Sequence, residues 1–257
     1  MFPIGDYPNP RGIHWMTVLL IVANVAVYVL VSLPMSAQPV DTADPRVAEY
    51  IAAIMKDLPP GTSPAVVFSG MSQYDLFVYQ WGFRPAAMNV GDLFFSMFLH
   101  GGFMHLFGNM LFLFIYGNNV EDRLGTLGFL AAYLLTGVAA ALFQAVFNMS
   151  SNIPMVGASG AISGVLGFYL HWFPRHYVKV FMFLPPLFMG VRMFPASLVL
   201  WMYLIVDNVV PFLLASQGGG GVAHGAHIGG FIAGFVAAVV MGRPRQEDLG
   251  APPELRQ

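Results

Sequence analysis

Six apolar runs, each roughly the 20 residues needed to cross a hydrocarbon core as a helix, dominate this chain. They extend from about Trp15 to Leu33, Leu93 to Tyr116, Leu127 to Phe147, Gly157 to Phe173, Pro195 to Ala215 and Val222 to Met241. Of 257 residues, 57% are hydrophobic and 9% charged, where soluble domains carry about 25% charged residues. Such a chain cannot cover a surface that faces water. The expected fold is an all-α polytopic membrane protein with six transmembrane helices. With 11 basic and 13 acidic side chains there is no polybasic character, which excludes nucleic acid as a partner. The absence of cysteine excludes disulfides, thiolate nucleophiles and thiolate metal sites.

The first run is expected to be retained rather than cleaved as a signal peptide, because it is long and preceded only by Arg11 as a clear positive charge. Orientation follows from lysine and arginine placement. With the N-terminus inside, the inner segments hold Arg11, Arg123, Arg175, Lys179, Arg192, Arg243, Arg245 and Arg256; the outer ones hold Arg46, Lys56 and Arg84. The organisation is then a cytoplasmic segment 1–14, a membrane domain 15–241 and a cytoplasmic tail 242–257. A long outer loop, 34–92, contains "DPRVAEYIAAIMKDL", an amphipathic helix with Val47, Tyr50, Ile51 and Ile54 on one side. The segment "VKVFMFLPPLFMGV" is broken by Pro185-Pro186 and reads as interfacial rather than as a seventh span.

Polar side chains are costly in lipid, so their positions are informative. Here they gather in three places: "FLHGGFMHLFGNM" with His100, His105 and Asn109, "GASG" with Ser159, and "GVAHGAHIGG" with His224 and His227. All three fall toward the outer halves of their runs and define one polar layer. His105 and Asn109 are four apart and share a helix face. His100 lies off that face unless Gly101-Gly102 breaks the helix, in which case it caps the site from outside. Gly160-x-x-x-Gly164 and Gly230-x-x-x-Gly234 are small-xxx-small patterns that allow two backbones to approach closely. If those faces pack together, Ser159 meets His227.

A serine hydroxyl is a poor nucleophile until a base takes its proton, and His227 is the candidate base. The Ser159 N–H and the side chains of His105 and Asn109 are candidate donors to an oxyanion. Gly157 and Gly160 permit a tight bend around the serine. "GASG" is not the G-x-S-x-G nucleophile elbow, since the second glycine follows the serine directly.

In "HGGFMHLFGN", "GASG" and "AHIGG", in that order, and in "GNNVEDRLG" after the second run, the chain resembles the rhomboid intramembrane serine proteases over roughly Tyr79 to Met241. The resemblance implies Ser159 as nucleophile and His227 as general base, a dyad without a required aspartate. It implies an oxyanion hole helped by His105 and Asn109, with His100 supporting the outer edge of the cavity. It also implies single-span membrane protein substrates cut near the outer face of the lipid bilayer, and neither metal nor cofactor. The compact six-span layout suits a bacterial inner membrane.

One position departs from the family pattern: Ser163 stands four after the nucleophile, where many members place an aromatic residue that packs on the catalytic histidine. His227 is then held differently, or by another aromatic. Asp207 and Asn208 interrupt the fifth run. Asp207 is expected to make a structural hydrogen bond or meet water inside the bundle, rather than to orient His227. His14, His171 and His176 are expected at membrane edges, and Glu121, Asp122 and Arg123 are expected to tie down the inner loop after the second run. Two rival readings are a metal site or metal transporter built on His100, His105, His224 and His227, and a non-catalytic binder of membrane proteins. The first leaves "GASG" unexplained and lacks a carboxylate; the second sits poorly with an intact serine and histidine.

Overall fold

The computed structural model describes residues 2–41, 43–56, 58, 60–184, 188–214 and 222–243. Strand β1 (Phe2–Tyr7) precedes α1 (Trp15–Ser36). In the stretch between the first two apolar runs, three short helices follow: α2 (Pro45–Ile54), α3 (Pro64–Ser69) and α4 (Gln73–Trp81). α2 starts where Asp44 accepts a hydrogen bond from the Arg46 N–H. Its apolar side packs Val47, Tyr50 and Ile51 with Val40, Met71 and Leu76 in a small core of its own.

The second apolar run is not one straight helix. α5 (Val90–Phe98) and α6 (Phe103–Leu124) are bent by 91° at His100-Gly101-Gly102, and α6 runs a further two turns past the expected end at Tyr116. Residues 121–123 therefore lie on the helix, not in a loop. The Glu121 carboxylate accepts from the N–H groups of Met16 and Thr17 at 2.9 and 2.7 Å and from the Thr17 hydroxyl at 2.8 Å. It caps the first turn of α1, where the helix dipole favours an anion.

α7 (Thr126–Phe147) and α8 (Ser159–Trp172) come next. At 14 residues, α8 is about 21 Å long, too short to cross the hydrocarbon by itself. It does not face lipid, however: each of its residues after Ser159 is buried. The chain that leads into Ser159 is irregular and half-buried, and its backbone bonds to Phe83 and Ser96. Among the described residues, four helices can cross a membrane by length and composition, α1, α7, α9 (Ala196–Leu214) and α10 (His224–Met241), or five with the bent α5–α6 pair.

The all-α expectation fails at residues 177–195. β2 (Tyr177–Leu184) and β3 (Phe188–Pro195) pair antiparallel from Tyr177↔Pro195 to Leu184↔Phe188, and β1 adds to β2 to complete a three-stranded sheet. The segment "YVKV" alternates, with Val178 and Val180 buried and Tyr177 and Lys179 half-buried. That period-2 pattern of β-branched residues outweighs the proline pair, which lies outside the described residues.

The sheet end is tied to the helices by polar groups. Asp6 accepts from Tyr169 Oη at 2.6 Å and Asn119 Nδ2 at 2.8 Å, and Tyr169 Oη also meets His176 Nδ1 at 3.1 Å. His176 is thus buried in a network rather than lying at an open membrane edge, and the His171 ring packs edge-on against Phe235. Arg123 stacks on Trp172 at 4.3 Å and donates to the Gly242 carbonyl, clamping the ends of α6, α8 and α10. This end is opposite to the N-termini of α8 and α10, where Ser159 and His227 lie.

Candidate active site

The closest helix pair is α8 against α10. A Cβ on Gly230 would strike the Gly160 carbonyl, and one on Gly234 would strike the Gly164 carbonyl. Only hydrogen at Gly230 and Gly234 lets α10 come this close to the α8 backbone, while a Cβ on Gly160 or Gly164 would strike Ala140 or Thr136 of α7. Ser159 is one residue before Gly160, and His227 is one turn before Gly230. The contact accordingly brings Ser159 Oγ to 2.8 Å from His227 Nε2, hydrogen-bond distance.

The bend before Ser159 is held from two sides. Phe83, fully buried, exchanges both backbone hydrogen bonds with Met155, and Gly157 N–H donates to the Ser96 carbonyl at 2.9 Å. Gly157 adopts φ +121°, a conformation L side chains rarely take. A Cβ there would also lie 2.7 Å from the His105 imidazole and 3.7 Å from Ser159 Oγ, so ring and hydroxyl flank the same glycine. His105 in turn meets the His100 ring edge-to-face at 5.1 Å between centroids. The His100 backbone N–H and carbonyl are both bonded to Tyr74 Oη, so α4 fixes the bend between α5 and α6. Asn109 is buried one turn below His105, and its Nδ2 has no protein partner among the described residues. A cavity of about 50 Å³ adjoins Ser159, lined by small groups such as Gly137, Ala140 and Ala226 together with Met97.

Three contributors escaped the sequence reading. Asn208 is buried, and its Oδ1 lies 2.7 Å from His227 Nδ1, while its neighbour Asp207 is exposed. Tyr203 places its ring beside the His227 imidazole, 6.4 Å between centroids and 33° between planes, and its hydroxyl is 2.5 Å from Ser163 Oγ. The ring near His227 therefore comes from α9, with Ser163 anchoring its hydroxyl. Gln144 accepts from the Ala226 N–H at 3.0 Å and steadies the first turn of α10. Each lay in an apolar run without a motif to mark its role, and Asn208 stood beside the charged Asp207. His224 also reaches toward Asn208 Oδ1, at a longer 3.4 Å. Among the described residues no group of three or more His, Cys, Asp or Glu could hold a metal ion.

Apolar helices of membrane length around a half-buried serine–histidine contact define an integral membrane protein. A family model for the Rhomboid domain matches residues 88–244, more than half of the chain, and the protein belongs to the rhomboid family. Relatives include the RHOMBOID-like protein 5 of Arabidopsis thaliana, 29% identical over 56% of this chain and 42% of its own length. The Rhomboid protease GluP of Bacillus subtilis (strain 168) is 31% identical over 59% of this chain and 26% of its length. The mitochondrial RHOMBOID-like protein 6 of Arabidopsis thaliana is 24% identical over 88% of this chain and 68% of its length. The chain thus spans less than half the length of the first two.

Proposed function

We propose that this chain is an intramembrane serine endopeptidase that hydrolyses peptide bonds in or near the membrane-spanning segments of single-span proteins. The observation that carries the reading is the 2.8 Å contact between Ser159 Oγ and His227 Nε2 at the close α8–α10 crossing. In the proposed reaction Ser159 Oγ attacks the scissile carbonyl carbon as its proton passes to His227 Nε2. The resulting oxyanion takes hydrogen bonds from the Ser159 N–H and from the side chains of His105 and Asn109. Such donors are worth roughly 3 kcal/mol each to the transition state, and the unpartnered Nδ2 of Asn109 supports its place among them. His227 then returns the proton to the leaving amine, leaving an acyl-enzyme on Ser159. Water, deprotonated by the same imidazole, hydrolyses it. His100 supports the ring of His105. The small-residue lining beside Ser159 favours a small side chain next to the cut.

The proposed layout has six spans, with α8 as the enclosed one, both termini inside and the site open to the outer face of a bacterial inner membrane. The bias of lysine and arginine toward the inner segments supports this orientation. Cleavage of single-span substrates in liposomes, comparing the native chain with Ser159→Ala and His227→Ala, tests the assignment. Cutting by the native chain alone is expected. Substrate binding without cutting by the folded native chain would make it a non-catalytic binder, and equal cutting by all three would place the chemistry elsewhere.

A further inference from the structure

The fifth apolar run carries two adjacent polar residues, and the fold treats them oppositely: Asp207 is exposed, whereas Asn208 is 1% exposed. The cause is a widened π-turn at Ile205–Val209. It adds one residue to a turn, so the face that starts at Tyr203 continues at i+5, Asn208, instead of at i+4, Asp207. Asn208 Nδ2 donates to the Tyr203 carbonyl at 2.8 Å, five residues back. A carbonyl only accepts, so this bond fixes which way the amide faces. The atom 2.7 Å from His227 Nδ1 is then the amide oxygen, which cannot donate, and Nδ1 must carry the proton. That leaves the lone pair of Nε2 directed at Ser159 Oγ, the tautomer a general base requires.

We propose that Asn208 is a positioning residue that extends the Ser159–His227 pair to a triad, setting the tautomer and ring orientation of the base through the π-turn of α9. The proposal rests on the serine endopeptidase reading above. A neutral amide performs this task without placing a charge deep in the bundle, where an anion is costly. The 3.4 Å approach of His224 to the same oxygen is too long to compete with the 2.7 Å contact.

The test measures kcat and KM for a single-span substrate in liposomes with the native chain, Asn208→Leu, Asn208→Asp, Ser159→Ala and His227→Ala. Asn208→Leu has nearly the same size but no acceptor, and its kcat is expected to fall about 100-fold with KM unchanged. Asn208→Asp keeps an acceptor oxygen and is expected to stay within about 10-fold of native kcat. Native kcat in Asn208→Leu would overturn the proposal, as would equal losses in the Leu and Asp variants. Native-rate cutting by Ser159→Ala or His227→Ala would instead overturn the endopeptidase reading itself. If Asn208→Leu does not fold, the native protein decides: the 15N shifts of His227, assigned by their loss in His227→Ala, should report a protonated Nδ1 and a bare Nε2. The reverse tautomer refutes the role.

Discussion

Replacing Gly230 by alanine tests whether the site exists because two helices touch. The added Cβ would run into the Gly160 carbonyl oxygen, a backbone atom that cannot swing aside. Restoring an ordinary carbon–oxygen contact of about 3.3 Å requires α8 and α10 to part by roughly 1 Å. Gly160 adjoins Ser159, and Gly230 sits one turn after His227, so most of that displacement reaches the 2.8 Å hydrogen bond. The bond would stretch to nearly 4 Å, beyond useful length. Misplacement on this scale costs about 100-fold in rate. Overpacking costs about 1–3 kcal/mol in stability. Substrate cleavage in liposomes reads the first effect, and the thermal midpoint in detergent the second. Gly108→Ala, where a Cβ meets nothing within 4 Å, serves as the stability control and should leave the midpoint unchanged or raised. Cutting by Gly230→Ala within about threefold of native, at an unchanged midpoint, would refute the contact as the source of the geometry.

Three further outcomes follow from other parts of the molecule. Asn109→Ala should lower kcat by about 100-fold, the loss of one oxyanion donor, with little change in KM; an equal effect on KM alone would remove Asn109 from that role. Glu121→Ala strands the first N–H groups of α1 and should cost on the order of 3 kcal/mol, read as a lowered thermal midpoint, while leaving the kcat of the remaining folded enzyme intact. At the sheet end, burial pushes the Asp6 carboxyl up to about 6 and the His176 imidazole down to about 4. A raised acid favours the folded state at low pH and loses that contribution as pH rises from about 4 to 6; a depressed histidine contributes above about 6.5 and loses it as pH falls toward 4. Each effect is about 3 kcal/mol at most and the two oppose, so the native chain should show little net slope between these values. Asp6→Asn should expose the histidine dependence as a midpoint that falls in acid, and a midpoint profile unchanged from native would refute the assignment.

How much of this protein was legible in advance depended on whether the signal was local. Apolar runs of membrane length, the glycine spacing of "GASG" and "AHIGG", and the pairing of His105 with Asn109 depend on chain chemistry and helical period, and these are read directly from residues. Other features depended on what a segment packs against. The alternation in "YVKV" is a local strand signal, offset in the sequence by the proline pair that follows it, but its pairing with β1 across some 170 residues of chain is not local. The shortness of α8 is intelligible only once neighbours shield it from lipid. Glu121 looked like a loop charge until α1 presented its unpaired N–H groups to it. The choice of Asn208 over Asp207 turned on a single π-turn, a change of phase that composition does not announce. The sequence by itself determined that this chain enters the membrane and which hydroxyl and imidazole are candidates to meet. Tertiary structure decided how the imidazole is held, because an amide and a phenol ring on α9 and a hydroxyl on α8 reach it only after the backbones have closed on one another.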